Sequence, residues 1–199
     1  MKTVTGLFDN YDDASDAVRE LEASGIPESD ISIVASNSDN RHGDESNAAE
    51  GAAGGAGLGA AIGGAGGLLA GLGLVAIPGV GPVVAAGWLA ATAVGAVGGA
   101  AVGGAAGGIV GALTESGVSE DDAHVYAEGV RRGGTLVTAK VEDDLAPQAE
   151  RILKQTSSVD LEERRGEYQT GGWTGFDADA HPYSNDDIGR DEARDINRA

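Results

Sequence analysis

Over the first 36 residues, apolar residues recur with two periods, one typical of strands and one typical of helices. The segments TVTGLF and ISIVA fit strands, and between them DDASDAVRELEASG has a helical period that ends at Gly25. The apolar face of this helix consists of Ala14, Ala17, Val18 and Leu21. The pattern predicts a β-α-β unit that forms the first half of a domain, residues 1–36.

The same two periods, of strands and of helices, recur over residues 115–163. SEDDAHVYAEGVRR predicts a helix, GTLVTAKV a strand, LAPQAERILKQ a second helix and SVDLEE a last short strand. The two halves read β-α-β, helix, β-α-β, which predicts an α+β fold: a small ferredoxin-like sandwich of helices against one sheet. Residues 37–50 are predicted to be a polar linker that leads out of this domain.

Between the halves, the 64 residues of segment 51–114 carry no charge. Glycine recurs there every fourth residue in two runs, with Ala91 in one slot. These positions are Gly51, Gly55, Gly59, Gly63, Gly67 and Gly71, then Gly87, Gly95, Gly99, Gly103, Gly107 and Gly111. On a helix this spacing leaves a groove without side chains, where another helix can approach closely. With the turn in VAIPGVGPVV, it predicts an antiparallel glycine-zipper hairpin with arms Gly51–Ile77 and Val83–Leu113.

Three interpretations of the predicted hairpin are open. Each arm exceeds the ~20 residues that cross a bilayer, which favours insertion into or adhesion to a membrane, with Trp88 marking an interface. The second interpretation is a water-soluble hairpin that is buried by folding back or by forming a homo-oligomer. A flexible linker is the third, and the regular glycine spacing argues against it.

The chain changes character again near Arg164. Residues 164–199 lose apolar periodicity and are rich in glycine and aspartate, so they are predicted to form a disordered acidic tail. Three aromatic residues lie within it: Trp173, Phe176 and Tyr183. The favoured interpretation is a solvated tail, and the alternative is that these residues dock on a partner or on the chain's own domain.

Charge and composition narrow the possible partners and locations. The net charge of −19 at pH 7 repels phosphate backbones, so nucleic acid is not expected as a partner. The chain has no cysteine, which excludes disulfides and thiolate chemistry. Its amino terminus lacks the pattern of a secretory signal, which favours a cytoplasmic location for the charged domain.

Catalytic and ligand-binding patterns are not found. The GxGxxG-like spellings lack the acidic residue that a dinucleotide site needs, and no lysine follows a glycine loop to make a phosphate site. His124 and Glu128 stand four residues apart on a predicted helix and are interpreted as a surface pair. Asp177, Asp179 and His181 form a loose cluster in the tail. The sequence therefore predicts no catalytic residue, no cofactor, no metal site and no enzyme activity.

Four stretches carry a resemblance to a known family: TGLFDNYDDASDAVRELEASGIPESDISIVAS, AIPGVGPVVAAG, YAEGVRRGGTLVTAKVED and the tail piece GGWTGFDADAHPYSNDDI. The chain resembles the general stress protein 17M-like family, of the heat-induced stress protein YflT type, with an inserted glycine zipper. The resemblance implies induction under stress, membrane association through the zipper and no enzymatic activity.

The leading hypothesis is a non-enzymatic general stress-response protein with a cytoplasmic α+β domain. Its glycine-zipper hairpin would self-associate in or against the inner membrane. The alternative is a soluble oligomeric ligand-binding or sensor module that uses the hairpin as its subunit interface.

Overall fold

The computed structural model describes most of the charged parts of the chain and the centre of the uncharged segment. The described residues are 1–37, 73–77, 79–89, 92, 108–180 and 183. The strands are β1 Lys2–Phe8, β2 Ile31–Ser36, β3 Gly73–Ile77, β4 Gly81–Gly87 and β5 Thr135–Val141. The helices are α1 Tyr11–Ala23, α2 Gly108–Glu115, α3 Glu120–Arg131, α4 Ala146–Gln155 and α5 Leu161–Thr170, with a 3₁₀ turn at Glu28–Asp30.

The strands form one antiparallel sheet in the order β1-β5-β2-β4-β3. Strand β5 lies between β1 and β2 and is antiparallel to both, so β1 and β2 are parallel. The unit β1-α1-β2 is therefore a β-α-β unit that is split by a strand from the carboxyl-terminal half.

One face of the sheet is covered by α1 and α4. The predicted apolar face of α1 is confirmed, because Ala14, Ala17, Val18 and Leu21 are all buried. Asn10 caps this helix, and its side chain accepts a hydrogen bond from the backbone N–H of Asp13 at 2.8 Å. From the sheet, Phe8, Ile33 and Val137 complete the same core.

The other face is covered by α2 and α3. Its core combines Leu7, Val34 and Leu136 of the sheet with Ile109 and Leu113 of α2. Helix α3 lies very close to the sheet at Gly129, where a Cβ would come within 2.4 Å of a Leu7 methyl group. The sheet therefore has a helical layer on each face, which confirms the α+β prediction at this level.

The ferredoxin-like arrangement is not confirmed, and the predicted strand in SVDLEE is wrong. Asp160 is the N-cap of α5, and its carboxylate accepts from the backbone N–H groups of Glu162 and Glu163, both at 3.0 Å. An aspartate followed by two glutamates suits a helix start better than a strand. One bond to the sheet does form in this stretch, from the N–H of Val159 to the carbonyl of Leu7 at 2.8 Å.

The helical prediction is also wrong for residues 73–77 and 83–87, at the inner ends of the two predicted arms. These residues lie in β3 and β4, which pair as a hairpin while β4 pairs with β2 on its other side. The turn is closed by the N–H of Val80 donating to Ile77, with Gly79 at φ +74°. β-Branched residues on both sides of a tight glycine turn favour such a hairpin. Within the predicted arms, residues 88, 89, 92 and 108–113 are helical, and most of the remainder lies outside the described residues.

The twelve zipper glycines fall accordingly. Gly87 ends β4, at φ +87°, and Gly111 lies in α2. The other ten lie outside the described residues. At Gly87 a Cβ would lie 2.2 Å from the carbonyl oxygen of Ile31, so the side chain is missing because a neighbouring strand comes close. Gly87 therefore serves sheet pairing, and its proposed role in a helical groove is wrong.

Replacing Gly87 with alanine tests this assignment. We expect Gly87→Ala to lower the free energy of unfolding by about 2–4 kcal/mol, because it combines a left-handed φ with a backbone clash. Urea denaturation measures the change.

The matched control is Gly166→Ala on α5, where a Cβ meets nothing within 4 Å. This substitution removes a helix-interior glycine and should raise stability by up to about 1 kcal/mol. Equal, small effects at the two positions would contradict the strand assignment of Gly87.

Candidate functional site

Three charged side chains cluster at the carboxyl-terminal end of helix α3: Glu128 and Arg131 of the helix, and Arg132, its C-cap residue. The helix starts at Ser119, whose hydroxyl accepts from the N–H of Asp122 at 3.1 Å. Acidic residues fill its first turn and arginine its last, as the helix dipole favours. The spacing of three and four residues places both arginines beside Glu128 on one helix face.

The carboxylate of Glu128 has a relative exposure of 0 % and lies between two guanidinium groups. Its Oε1 accepts from Nη2 of Arg131 at 3.0 Å and from Nε of Arg132 at 2.7 Å. Its Oε2 lies 2.9 Å from Nη2 of Arg131. Burial alone lowers the pKa of Arg132, but the hydrogen bond and the charge of Glu128 outweigh burial and leave this pKa above its usual value.

Aromatic rings from the carboxyl-terminal region cover both guanidinium groups. The ring of Tyr168 lies 4.5 Å from the Arg132 guanidinium carbon, and that of Tyr183 lies 4.8 Å from Arg131 and 5.1 Å from Arg132. Phe176 lies 5.9 Å from Arg131. These distances are in the range of cation–π attraction, which strengthens as the cation loses water. Residues 173–180 and Tyr183, which run across α3, are called the strap below.

Two backbone contacts also hold the strap. The N–H of Phe176 donates to Nδ1 of His124 at 3.0 Å, so this imidazole nitrogen carries no proton. At the β3–β4 turn, a Cβ on Gly79 would come within 2.6 Å of Ala178 Cα and 2.7 Å of the Asp177 carbonyl oxygen. The strap therefore bridges α3 and the hairpin that the uncharged segment contributes.

Helix α5 leads into the strap and is itself tied to the domain by arginines. Arg164 pairs with Asp9 at 2.8 Å and with Glu167 at 3.1 Å, and Arg165 pairs with Asp122 of α3. Burial lowers the pKa of Arg164, but its bond to Asp9 more than compensates, and the net shift is upward. The prediction of disorder from residue 164 is therefore wrong for residues 164–180.

Burial also changes the pKa of a tyrosine at the end of α5. Burial raises the pKa of Tyr168, and the nearby Arg164 offsets only part of the rise. The Tyr168 ring packs edge-on against Trp173, with 5.8 Å between centroids. Tyr168 of α5 thus contacts both Trp173 of the strap and Arg132.

An open pocket of about 330 Å³ lies beside α5. Its lining is mostly acidic: Asp9, Ser157, Val159, Asp160, Glu163, Arg164 and Glu167. Arg164 crosses it and neutralises two of the carboxylates. Among the described residues, no three histidine or acidic side chains come together as a metal-binding group.

The structure reassigns the polar residues singled out from the sequence. His124 and Glu128 are not a surface pair, since His124 accepts from the strap and Glu128 is buried with the arginines. Asp177 accepts from the N–H of Asp179 at 2.9 Å within the strap, and His181 lies outside the described residues.

Trp88 is likewise fixed by the domain. Its Nε1–H donates to the carbonyl of Asp30 at 3.1 Å, and Nζ of Lys140 lies 3.8 Å from the centre of its ring.

Sequence reasoning missed the pair Arg131 and Arg132. A signal was present, because Glu128 precedes them by three and four residues on a helix. Arg131 also follows Ala127 by four residues, which places its side chain beside the buried stripe. Of the aromatic residues that meet the arginines, Phe176 and Tyr183 were singled out from the sequence and Tyr168 was not. Docking on the chain's own domain was an alternative to the favoured interpretation of a solvated tail.

Comparison with known proteins gives a match to a family model over part of the chain. Residues 3–75 match the family model described as the heat induced stress protein YflT domain. The match covers β1 from Thr3 onward, α1, β2 and the first three residues of β3, and it suggests a general stress-response role. No curated protein and no solved structure is significantly similar to the chain. Within the described part, no helix combines the length and apolar character that crossing a bilayer requires.

The buried carboxylate predicts a large effect of one substitution. We expect Glu128→Gln to lower the free energy of unfolding by about 3 kcal/mol or more, because it leaves two guanidinium groups without their counter-charge. Denaturation in urea at constant pH measures the loss.

Glu115→Gln is the matched control, since this glutamate ends α2 and is exposed. The control should change stability by less than about 0.5 kcal/mol. A loss at Glu128 no greater than that at Glu115 would show that the ion pairs contribute nothing measurable.

Proposed function

We propose that this chain is a non-enzymatic general stress-response protein that works by association. In this proposal the uncharged segment carries self-association and contact with the inner membrane, while the charged α+β domain stays in the cytoplasm. The observation that carries the stress role is the match of residues 3–75 to the YflT domain. Association is supported by the glycine spacing and by the absence of charge over residues 51–114.

The fold narrows the part of the segment that is free to associate. Strands β3 and β4 and helix α2 contribute to the domain's own sheet and core, so the proposal concerns residues 51–72 and 93–107. For these residues it rests on the sequence: glycine at every fourth position and no charged side chain.

A non-catalytic role is supported by the way the charged groups of the site are used. Glu128, Arg131 and Arg132 neutralise one another, and aromatic rings cover the arginines. A general acid or base needs access to a substrate proton, and Glu128 has none. The same cover makes the arginine pair a poor site for nucleic acid, in keeping with the net charge of −19.

The second candidate function is a soluble oligomeric ligand-binding or sensor module. It is favoured by the position of β3, β4 and α2, which shows that part of the apolar segment is used inside the domain. In that case the remaining glycine-rich residues form an interface between subunits and do not meet lipid.

Fractionation of lysed cells separates the two functions. We expect the full chain to float with membranes in a density gradient, and a variant without residues 51–72 to stay in the supernatant. The deletion should leave the sheet intact. Strands β2 and β3 are parallel, so the chain that joins them must run back about 20 Å from the end of β2 to the start of β3. Residues 37–50 can span about 45 Å when extended.

A full chain that stays in the supernatant without detergent would reject membrane contact and favour the soluble module. Circular dichroism of the deletion variant checks that the domain keeps its fold. A deletion variant that floats as well as the full chain would place the membrane contact elsewhere.

Self-association has its own test. The triple substitution Gly59→Leu, Gly63→Leu and Gly99→Leu raises hydrophobicity but fills the proposed groove, so we expect chemical crosslinking to give fewer and smaller oligomers. Gly166→Leu on exposed α5 is the control and should leave the crosslinked species unchanged. Unchanged oligomers in the triple variant would count against glycine-mediated contact.

A further inference from the structure

The strap and α5 are held on the domain by different kinds of contact. Helix α5 is joined to the domain by ion pairs, at Arg164 with Asp9 and at Arg165 with Asp122. The strap meets the domain through the Phe176 N–H on His124, the rings over Arg131 and Arg132, and its backbone against Gly79. In each of these contacts the strap contributes an aromatic ring or a backbone group.

The long-range charges oppose that docking. Residues 171–199 contain seven acidic and three basic residues, a net charge of −4, which leaves −15 for the rest of the chain. The two helices α3 and α5, together with the C-cap Arg132, carry seven acidic residues and four arginines, a net charge of −3. The strap is therefore held by short-range contacts, while residues 171–199 and the rest of the chain carry net charges of the same sign, which repel each other at longer range.

We propose that the strap is a detachable cover whose docking on α3 tightens as ionic strength rises. Salt screens interactions over distances longer than the Debye length, which falls from ~30 Å at 0.01 M to ~3 Å at 1 M. The repulsion between tail and domain acts over such distances. The ring–guanidinium contacts, at 4.8 and 5.1 Å for Tyr183, are short and partly buried, so salt weakens them less.

Release of the strap changes the surface of α3. Both guanidinium groups lose the Tyr183 ring, Arg131 also loses Phe176, and the β3–β4 turn loses its contact with Ala178. At low ionic strength the protein thus presents a pair of arginines on a strongly acidic surface. At high ionic strength, as in a cell that has lost water, the pair is covered. This inference goes beyond the proposed function and does not depend on membrane contact.

Hydrogen exchange of one backbone amide tests the inference in the full-length protein. The Phe176 N–H is protected only while it donates to His124. We expect its protection factor to rise by roughly threefold or more between about 0.01 M and about 1 M KCl at constant pH.

The Gly171 N–H, which donates to Glu167 at the end of α5, is the internal reference. Its protection should stay level or fall, because α5 is held by ion pairs that salt weakens. Phe176 protection that is constant or falls with salt would overturn the inference, and so would an unprotected amide at every salt concentration.

Two variants separate charge from other salt effects. Replacing Asp186, Asp187 and Asp191 with asparagine removes most of the repulsion, so Phe176 should be protected already at low salt and the salt dependence should shrink. Tyr183→Ala should lower the protection at every salt concentration while leaving Gly171 unchanged. A triple variant with the full salt dependence of the parent would show that the effect is not screening, and would overturn the inference.

Discussion

The carboxylate of Glu128 is buried on α3 with the guanidinium groups of Arg131 and Arg132 as its charged partners. A buried carboxylate without counter-charge is too costly to keep, so both arginines must stay folded back along the helix. Held there, their planar faces meet Tyr168, Tyr183 and Phe176. The end of α5 and the strap therefore depend on one ion-pair cluster that forms within α3 itself.

The described centre of the uncharged segment and its carboxyl-terminal end are part of this arrangement. Strands β3 and β4 extend the sheet beyond β2, and Ile109 and Leu113 of α2 join the core beneath α3. The strap then rests on the turn between β3 and β4 at Gly79. The centre of the segment therefore contacts the strap at the turn, and its carboxyl-terminal end shares a core with α3 through α2.

The sequence predicts the elements whose pattern is local and misses those that tertiary contacts decide. The burial of Ala14, Val18 and Leu21 follows from helical period alone, and the α1 prediction is confirmed. Residues 81–87 are small and apolar with glycine at both ends, which suits either a helix groove or a strand. Pairing with β2 on one side and with β3 on the other makes them a strand. The sequence indicated only part of the candidate site. Phe176 and Tyr183 were singled out, but Tyr168 was not, and the arginines were missed because Glu128 was interpreted as a surface group.

The use of arginine in this cluster follows from what the site requires. Arg132 donates through Nε to Glu128 while its flat face lies 4.5 Å from the Tyr168 ring, so one side chain serves an acid and an aromatic ring together. A lysine ammonium is a compact, strongly hydrated charge and offers no such plane. The acid, being fully buried, needs donors that lose little hydration energy. A chain with so many carboxylates therefore places arginines where a carboxylate has to leave water and an aromatic ring has to be held.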